Sequence, residues 1–203
     1  TRNRRVQGLT KAPVPAPLLW GAEDLWLALE PLLPGLTVEV VARIGSTNTE
    51  LLARARQAPA DGLKPALLVA EQQTAGRGRQ GKAWQSAAGA SLTFSLALPL
   101  APADWSGLSL AVGVSLAHSL HADVRLKWPN DLWLHQRKIG GILVETASTG
   151  DAAQGQRMVV IGVGINVARP EVSAVAALVP DGSAVTAMAP AGLSEVLVGI
   201  TPG

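Results

Sequence analysis

The residues able to do chemistry fall in a few short stretches, and the densest is TAGRGRQGKAW at 74–84. Gly76, Gly78 and Gly81 satisfy G-x-G-x-x-G, the spacing of a dinucleotide-binding turn. Gly76, Gly81 and Lys82 also satisfy G-x-x-x-x-G-K, with Ala83 where a phosphate loop needs a metal-binding hydroxyl. Both motifs require a helix opening at the loop, so that its N-terminus meets the phosphate. The following residues, KAWQSAAGASLTFSLAL, have no helical period and run into a strand, so both readings fail on context. A plain hairpin loop would account for the glycines but not for Arg77, Arg79 and Lys82 set between them. Glycine lets backbone approach a ligand closely, and interleaved cations supply the charge that a phosphate or carboxylate needs. The pattern predicts a loop that closes over an anionic ligand.

Three further stretches carry polar groups at unusual places. KWPND (127–131) gathers Lys127, Asn130 and Asp131 around a proline turn, either a site at strand ends or a simple β-turn. RKIGGILVE (137–145) places Lys138 ahead of two glycines at the start of an apolar strand, where a solvated turn lysine is the alternative. GVGIN (162–166) puts two glycines and Asn166 inside an otherwise buried strand. Glycine weakens a strand, which predicts close approach of a ligand or another backbone. Together these residues describe a site rich in Lys, Arg and Asn. It has no His pair or carboxylate cluster for a protein-held metal, and the absence of cysteine excludes disulfides, thiolate catalysis and zinc–thiolate binding.

Local pattern predicts the elements that must position these groups. WGAEDLWLALEPLLPG reads as a short helix closed by Pro31 and Pro34, and residues 36–44 as a β-branched strand. STNTELLARARQA starts a helix, with Thr47 and Glu50 as a capping box. PALLVAEQ is a buried strand entering the glycine loop, and SLTFSLALPL the strand leaving it. Residues 107–122 show Leu108, Ala111, Val112, Ser115 and Leu116 at helical spacing, which predicts a buried helix. Residues 124–146 then give strand, turn, strand, turn, strand, and 157–168 a last strand paired to them across a polar loop. The whole predicts α+β, with a mixed, mainly antiparallel sheet and flanking helices.

The chain has 203 residues, 48% hydrophobic and 16% charged, enough for one sizeable domain. Four of its 17 basic residues, Arg2, Arg4, Arg5 and Lys11, precede residue 20, which leaves 13 against 15 acidic residues in the body. That balance argues against a nucleic-acid binder, whose surplus would lie on the folded part. Residues 1–19 read as a disordered, basic, proline-rich leader, and 20–203 as the folded domain. No apolar run is long enough to span a bilayer and no signal-type core follows the basic start. The expectation is a cytoplasmic protein without membrane or DNA partner.

In order, STN (46–48), EQQTAGRGRQGKAW (71–84), KWPNDLWL (127–134), RKIGGILVE and GVGIN resemble the biotin protein ligases, also called biotin–acetyl-CoA-carboxylase ligases. The resemblance covers roughly residues 36–168. It implies a catalytic domain related to class II aminoacyl-tRNA synthetases. It also implies a two-step activity, in which biotin and MgATP give biotinyl-5′-AMP, and biotin then passes to a lysine of a biotin carboxyl carrier protein. Lys138 would lie between biotin's carboxylate and the α-phosphate, with Arg79 on the phosphate side. Arg77 and Gly76 would lie in the loop over biotin, and Ser46, Thr47 and Gln73 around its ureido ring. Gly141 and Gly162 would leave room for the ring and chain. Trp84 would lie against adenine, Asn130 and Asn166 would contact the nucleotide side, and Asp131 would orient the acceptor amine. Lys82 stands where relatives often carry arginine, which loses the planar fork. Magnesium would ride on the ATP phosphates, without a dedicated protein cage.

The resemblance leaves monomer and homodimer open. Few residues precede the core, so a repressor-type DNA-binding domain is not expected, and the small C-terminal β-barrel of many relatives is expected to be absent or truncated. A lipoate or octanoyl ligase on the same fold is the enzymatic alternative. A non-catalytic biotin-binding module is the other.

Overall fold

The computed structural model describes residues 20–59, 62–148, 156–170 and 189–202. The expected leader lies outside these residues, as does most of the polar loop before the last strand. Among the described residues three α-helices and nine strands are arranged as α1 (Ala22–Leu29), β1 (Thr37–Ile44), α2 (Thr47–Gln57), β2 (Ala66–Gln73), β3 (Gly76–Arg77), β4 (Ala83–Trp84), β5 (Ser91–Leu100), α3 (Leu108–Leu120), β6 (Val124–Lys127), β7 (Asp131–Leu134), β8 (Arg137–Ala147) and β9 (Arg157–Asn166). Seven strands form one sheet in the order β1-β2-β5-β9-β8-β7-β6. Only β1 and β2 run parallel; β2–β5, β5–β9, β9–β8, β8–β7 and β7–β6 are antiparallel. The expected α+β fold with a mixed, mainly antiparallel sheet is therefore observed.

Side chains alternate across a sheet, and here the two faces do different work. On one, Leu132, Leu134, Ile139, Ile142, Val159, Ile161, Val163 and Ile165 form a dry core against Val112, Leu116, Ala117 and Leu120 of α3. On the other, Leu51, Leu52 and Ala55 of α2 pack on Leu68, Ala97, Met158 and Val160. Further along this second face the strands carry small residues, because Thr93 pairs with Gly164, which pairs with Gly141, which pairs with Asp131. The next row sets Ser95 against Gly162 and Gly162 against Leu143. Small residues at adjacent cross-strand positions leave a hollow, and that hollow is the candidate site.

Two expectations need correction. α3 is half-buried: Gly113 and Ala117 are its fully buried residues, whereas Ala111 and Ser115 face outward. Its covered stripe runs through Val112, Gly113, Leu116, Ala117 and Leu120. Apolar but exposed residues such as Leu110 and Val114 hid which side faces the sheet. The cap of α2 is Ser46, whose hydroxyl accepts from Thr49 N–H, while Thr47 is already helical and Glu50 pairs with Arg54 at 2.8 Å. Among the described residues the C-terminal stretch forms a 3-10 turn, Leu193–Glu195. That segment completes the core: Ala191 and Leu193 are fully buried, and Ala191 N–H bonds the carbonyl of Lys138 at 2.9 Å.

Candidate active site

The hollow is a cleft of about 390 Å³. Its floor is the small-residue patch, one end is the start of α2, the other is the β6–β7 turn with Lys138, and the 76–84 segment crosses above it. The segment is itself a hairpin, with β3 and β4 paired antiparallel around a 3-10 turn at Arg79–Gly81. No helix follows it, so neither first-glance phosphate motif applies. Gln80 and Gly81 both adopt positive φ, 57° and 72°, which makes the tight reversal between the strands. Gly76 is needed beneath: a side chain there would place its Cβ 2.5 Å from the carbonyl of Trp84.

The cations converge as the spacing predicts. Arg77, Arg79 and Lys82 on the hairpin and Lys138 on β8 all line the cleft. Lys138 Nζ meets Asp131 Oδ1 at 2.7 Å, an encounter fixed by the β7–β8 register. A shift between Leu132 and Trp133 lets Asp131 oppose Gly141 while Trp133 opposes Lys138. The space at Gly141 then belongs to this pair, since a Cβ there would sit 3.6 Å from Lys138 Nζ and 3.7 Å from Asp131 Oδ1. Arg79 reaches across to donate to Asn130 Oδ1 at 3.2 Å, and Asn130 is pinned by its own amide to Ile142 O at 2.9 Å. Arg77 pairs with Glu145 at 3.2 Å.

At the α2 end the groups are neutral and short. Gln73 Oε1 accepts from Thr47 N–H at 2.7 Å and lies 3.2 Å from the Thr47 hydroxyl. Ser95, fully buried, sits 2.7 Å from Thr47 Oγ1 and 2.6 Å from Asn48 Oδ1. Ser46 lines the cleft too, but its oxygen caps the helix, which leaves Thr47 the better placed of the two toward a ligand.

Three sequence-based candidates fall outside the cleft lining. Gly76 supports the hairpin from beneath. Asn166 is buried at the end of β9, donating to Ala191 O at 3.2 Å, so its amide anchors the C-terminal segment. Lys127 likewise turns away, its ammonium 3.7 Å over the Trp133 ring. Two side chains approach the glycines of β9. A Cβ at Gly162 would lie 2.2 Å from Asn48 Oδ1, and one at Gly164 would lie 2.4 Å from the Trp84 indole. Asn48 and Glu145 were missed by sequence reasoning, although both stand inside the quoted motifs.

A glycine-floored, cation-rimmed cleft lies on one face of the mainly antiparallel sheet of an α+β domain, and the solved biotin protein ligases it resembles share the class II synthetase-like fold. The biotin/lipoate A/B protein ligase family matches residues 40–166, and the chain belongs to that family. Over 143 residues it is 48% identical to the bifunctional ligase/repressor BirA of Escherichia coli (strain K12), covering 67% of this chain and 42% of that protein. It is 41% identical over 141 residues to the biotin–[acetyl-CoA-carboxylase] ligase of Mycobacterium tuberculosis, covering 64% of this chain and 49% of the relative. The biotin protein ligase of Aquifex aeolicus, solved in complex with biotin and ATP, superposes with a TM-score of 0.54 at 26% identity, over 79% of this chain and 60% of that one. The chain thus spans about half the length of the curated relatives it matches.

Proposed function

We propose that the chain carries the catalytic core of a biotin–[biotin carboxyl carrier protein] ligase. It would activate biotin with ATP to biotinyl-5′-AMP and pass biotin to a carrier lysine. The observation that carries this reading is the polarity of the cleft, with neutral hydrogen-bonding groups at one end, fixed cations at the other and an indole between. A ureido ring has one carbonyl and two N–H groups but no charge, which suits Thr47 and Gln73. A carboxylate and a triphosphate need Lys138, Arg79 and Lys82.

In the first step a carboxylate oxygen of biotin attacks the α-phosphorus, and the bond to the β-phosphate oxygen breaks, releasing pyrophosphate. Two anions must meet for this to happen. Lys138, held forward by Asp131, supplies positive charge where the new P–O bond forms, and Arg79 supplies it on the phosphate side. Charge placed in advance where it develops in the transition state lowers the barrier without reorganisation. Trp84, seated over Gly164, offers its face to adenine, and Asn130 orients Arg79. In the second step the carrier amine attacks the acyl carbon and AMP leaves. Asp131 is the one carboxylate on the cleft wall among the described residues, and it would orient the amine and take its proton.

Magnesium would neutralise the phosphates. Asp131 is already engaged by Lys138, and no group of three metal-ligating side chains converges among the described residues, so the donor set suits an ion carried by ATP. Domain limits of 20–203 and a carboxylase carrier as acceptor belong to the same proposal. No described helix is long and apolar enough to cross a membrane.

The test is pyrophosphate release from ATP with biotin, lipoate or octanoate as the acid. Biotin-dependent release is expected. Release with lipoate or octanoate alone would move the chain to the other branch of its family, and tight biotin binding without release would make it a binding module.

A further inference from the structure

The pair Arg77–Glu145 joins the hairpin to the body and also separates two hollows. Arg77 and Ser46 line both the main cleft and a neighbouring one walled by Thr49, Arg56 and Glu145. Glu145 does not stand alone. Asn48 Nδ2 donates to its Oε2 at 3.0 Å and to Leu143 O at 3.2 Å. The carbonyl and the carboxylate only accept, so the Asn48 NH₂ must face them and its oxygen must face Ser95. An amide oxygen only accepts as well, so Ser95 must give Asn48 its single proton. The 2.7 Å contact between Ser95 and Thr47 is then a bond donated by Thr47. Proton counting thus orders one continuous chain, from Thr47 at the cleft floor through Ser95 and Asn48 to Glu145 and Arg77 on the hairpin. Gly162 exists to admit it, since any Cβ there would strike Asn48.

We infer that Glu145 and Asn48 are positioning residues that latch the 76–84 hairpin through Arg77 and tie its closure to occupancy of the Thr47 end of the cleft. The inference rests on the adenylate-forming function proposed above. Glu145 touches no reacting atom. Its carboxylate fixes Arg77, Arg77 fixes the hairpin, and the hairpin keeps the activated acid from water. Asn48 holds that carboxylate in place and transmits any change at Thr47.

The test loads the chain with synthetic biotinyl-5′-AMP and follows its dissociation, beside hydrogen exchange of the ligand-free hairpin amides. Glu145→Gln keeps the shape and an acceptor for Asn48 but loses the charge. A partly exposed, charge-assisted bond is worth between a surface pair and a buried one, so dissociation should quicken about three- to tenfold. Hairpin exchange should quicken with it, while β9 exchange, the check on folding, stays unchanged. Arg77→Gln lies on an exposed residue that folding does not need, and should act alike. The double variant should be no faster than the faster single variant, because both remove one latch. Asn48→Ala should speed dissociation with Arg77 and Glu145 intact. Unchanged hairpin exchange and adenylate retention in Glu145→Gln, or multiplied effects in the double variant, would overturn the latch. A chain that makes no biotinyl-AMP from ATP and biotin would instead overturn the function, since the exchange and loading arms need no turnover.

Discussion

At the scale of single residues, the site works by placing groups that would repel or clash anywhere else. Lys138 sits 2.7 Å from Asp131, so its ammonium is aimed before a substrate arrives and loses little freedom on binding. Lys138→Ala should lower biotin-dependent pyrophosphate release by roughly a hundredfold or more, the loss typical of one preorganised electrostatic donor. Biotin should still bind within a few-fold of the unaltered chain, as equilibrium dialysis would read. Near-normal release would remove Lys138 from the reaction. Gly164 does quieter work by seating the Trp84 indole, which a Cβ would meet at 2.4 Å. Gly164→Ala should cost about 1–3 kcal/mol by overpacking and raise KM for ATP more than KM for biotin. Denaturant unfolding and steady-state kinetics check the two halves of that statement separately.

The decisive element is the β3–β4 hairpin. It is two residues long on each arm and, apart from the Trp84 indole seated over Gly164, places no side chain in the apolar core clusters. Its hold on the body runs through polar groups, notably Arg77 to Glu145 and Arg79 to Asn130. A segment secured by exposed polar contacts opens at low free-energy cost, unlike one whose apolar side chains are buried. Amides of residues 76–84 should therefore exchange fast in the free chain and slow by at least about tenfold with biotinyl-AMP bound, when the ligand adds contacts on the hairpin's inner side. Equal exchange in the two states would mean the hairpin is a rigid wall rather than a lid.

For the whole molecule, the C-terminal segment decides how firmly the site is backed. Residues 189–197 cross the ends of β8 and β9, with Ala191 bonded to Lys138 and Asn166, and Glu195 paired with Arg137, the neighbour of Lys138. The Arg137 guanidinium holds the Glu195 carboxyl below the usual glutamate range. A folded value below the unfolded one gives stability that is fully present above the unfolded value and vanishes as pH falls through the folded one. Glu195→Gln should thus lower stability by about 0.5–1 kcal/mol near neutrality, the scale of a well-formed surface pair. That corresponds to roughly 2 °C in Tm. The difference should vanish in acid below the ordinary carboxylate range, as thermal melts at several pH values would show. A constant difference across that range would mean the pair has no electrostatic part.

Residue type and local spacing determined much of this in advance. Alternation and β-branching marked the long strands, and glycines with interleaved cations marked the hairpin. The absence of helical period after Lys82 ruled out both nucleotide loops. These are properties of a few consecutive residues, so a linear reading reaches them. What only the tertiary structure decided depends on pairings between distant segments. The occupants of the space at Gly162 and Gly164 come from α2 and β4, and no local pattern names them. The resemblance gives Asn166 to the nucleotide side, and only the tertiary structure sets its amide against a segment about 25 residues onward. Ser46 and Thr47 exchanged roles because one residue of helix phase decides which hydroxyl caps and which faces the sheet. Glu145 resembled an ordinary polar strand residue, and its part in the latch follows from the register that sets it beside Asn48 and within reach of Arg77.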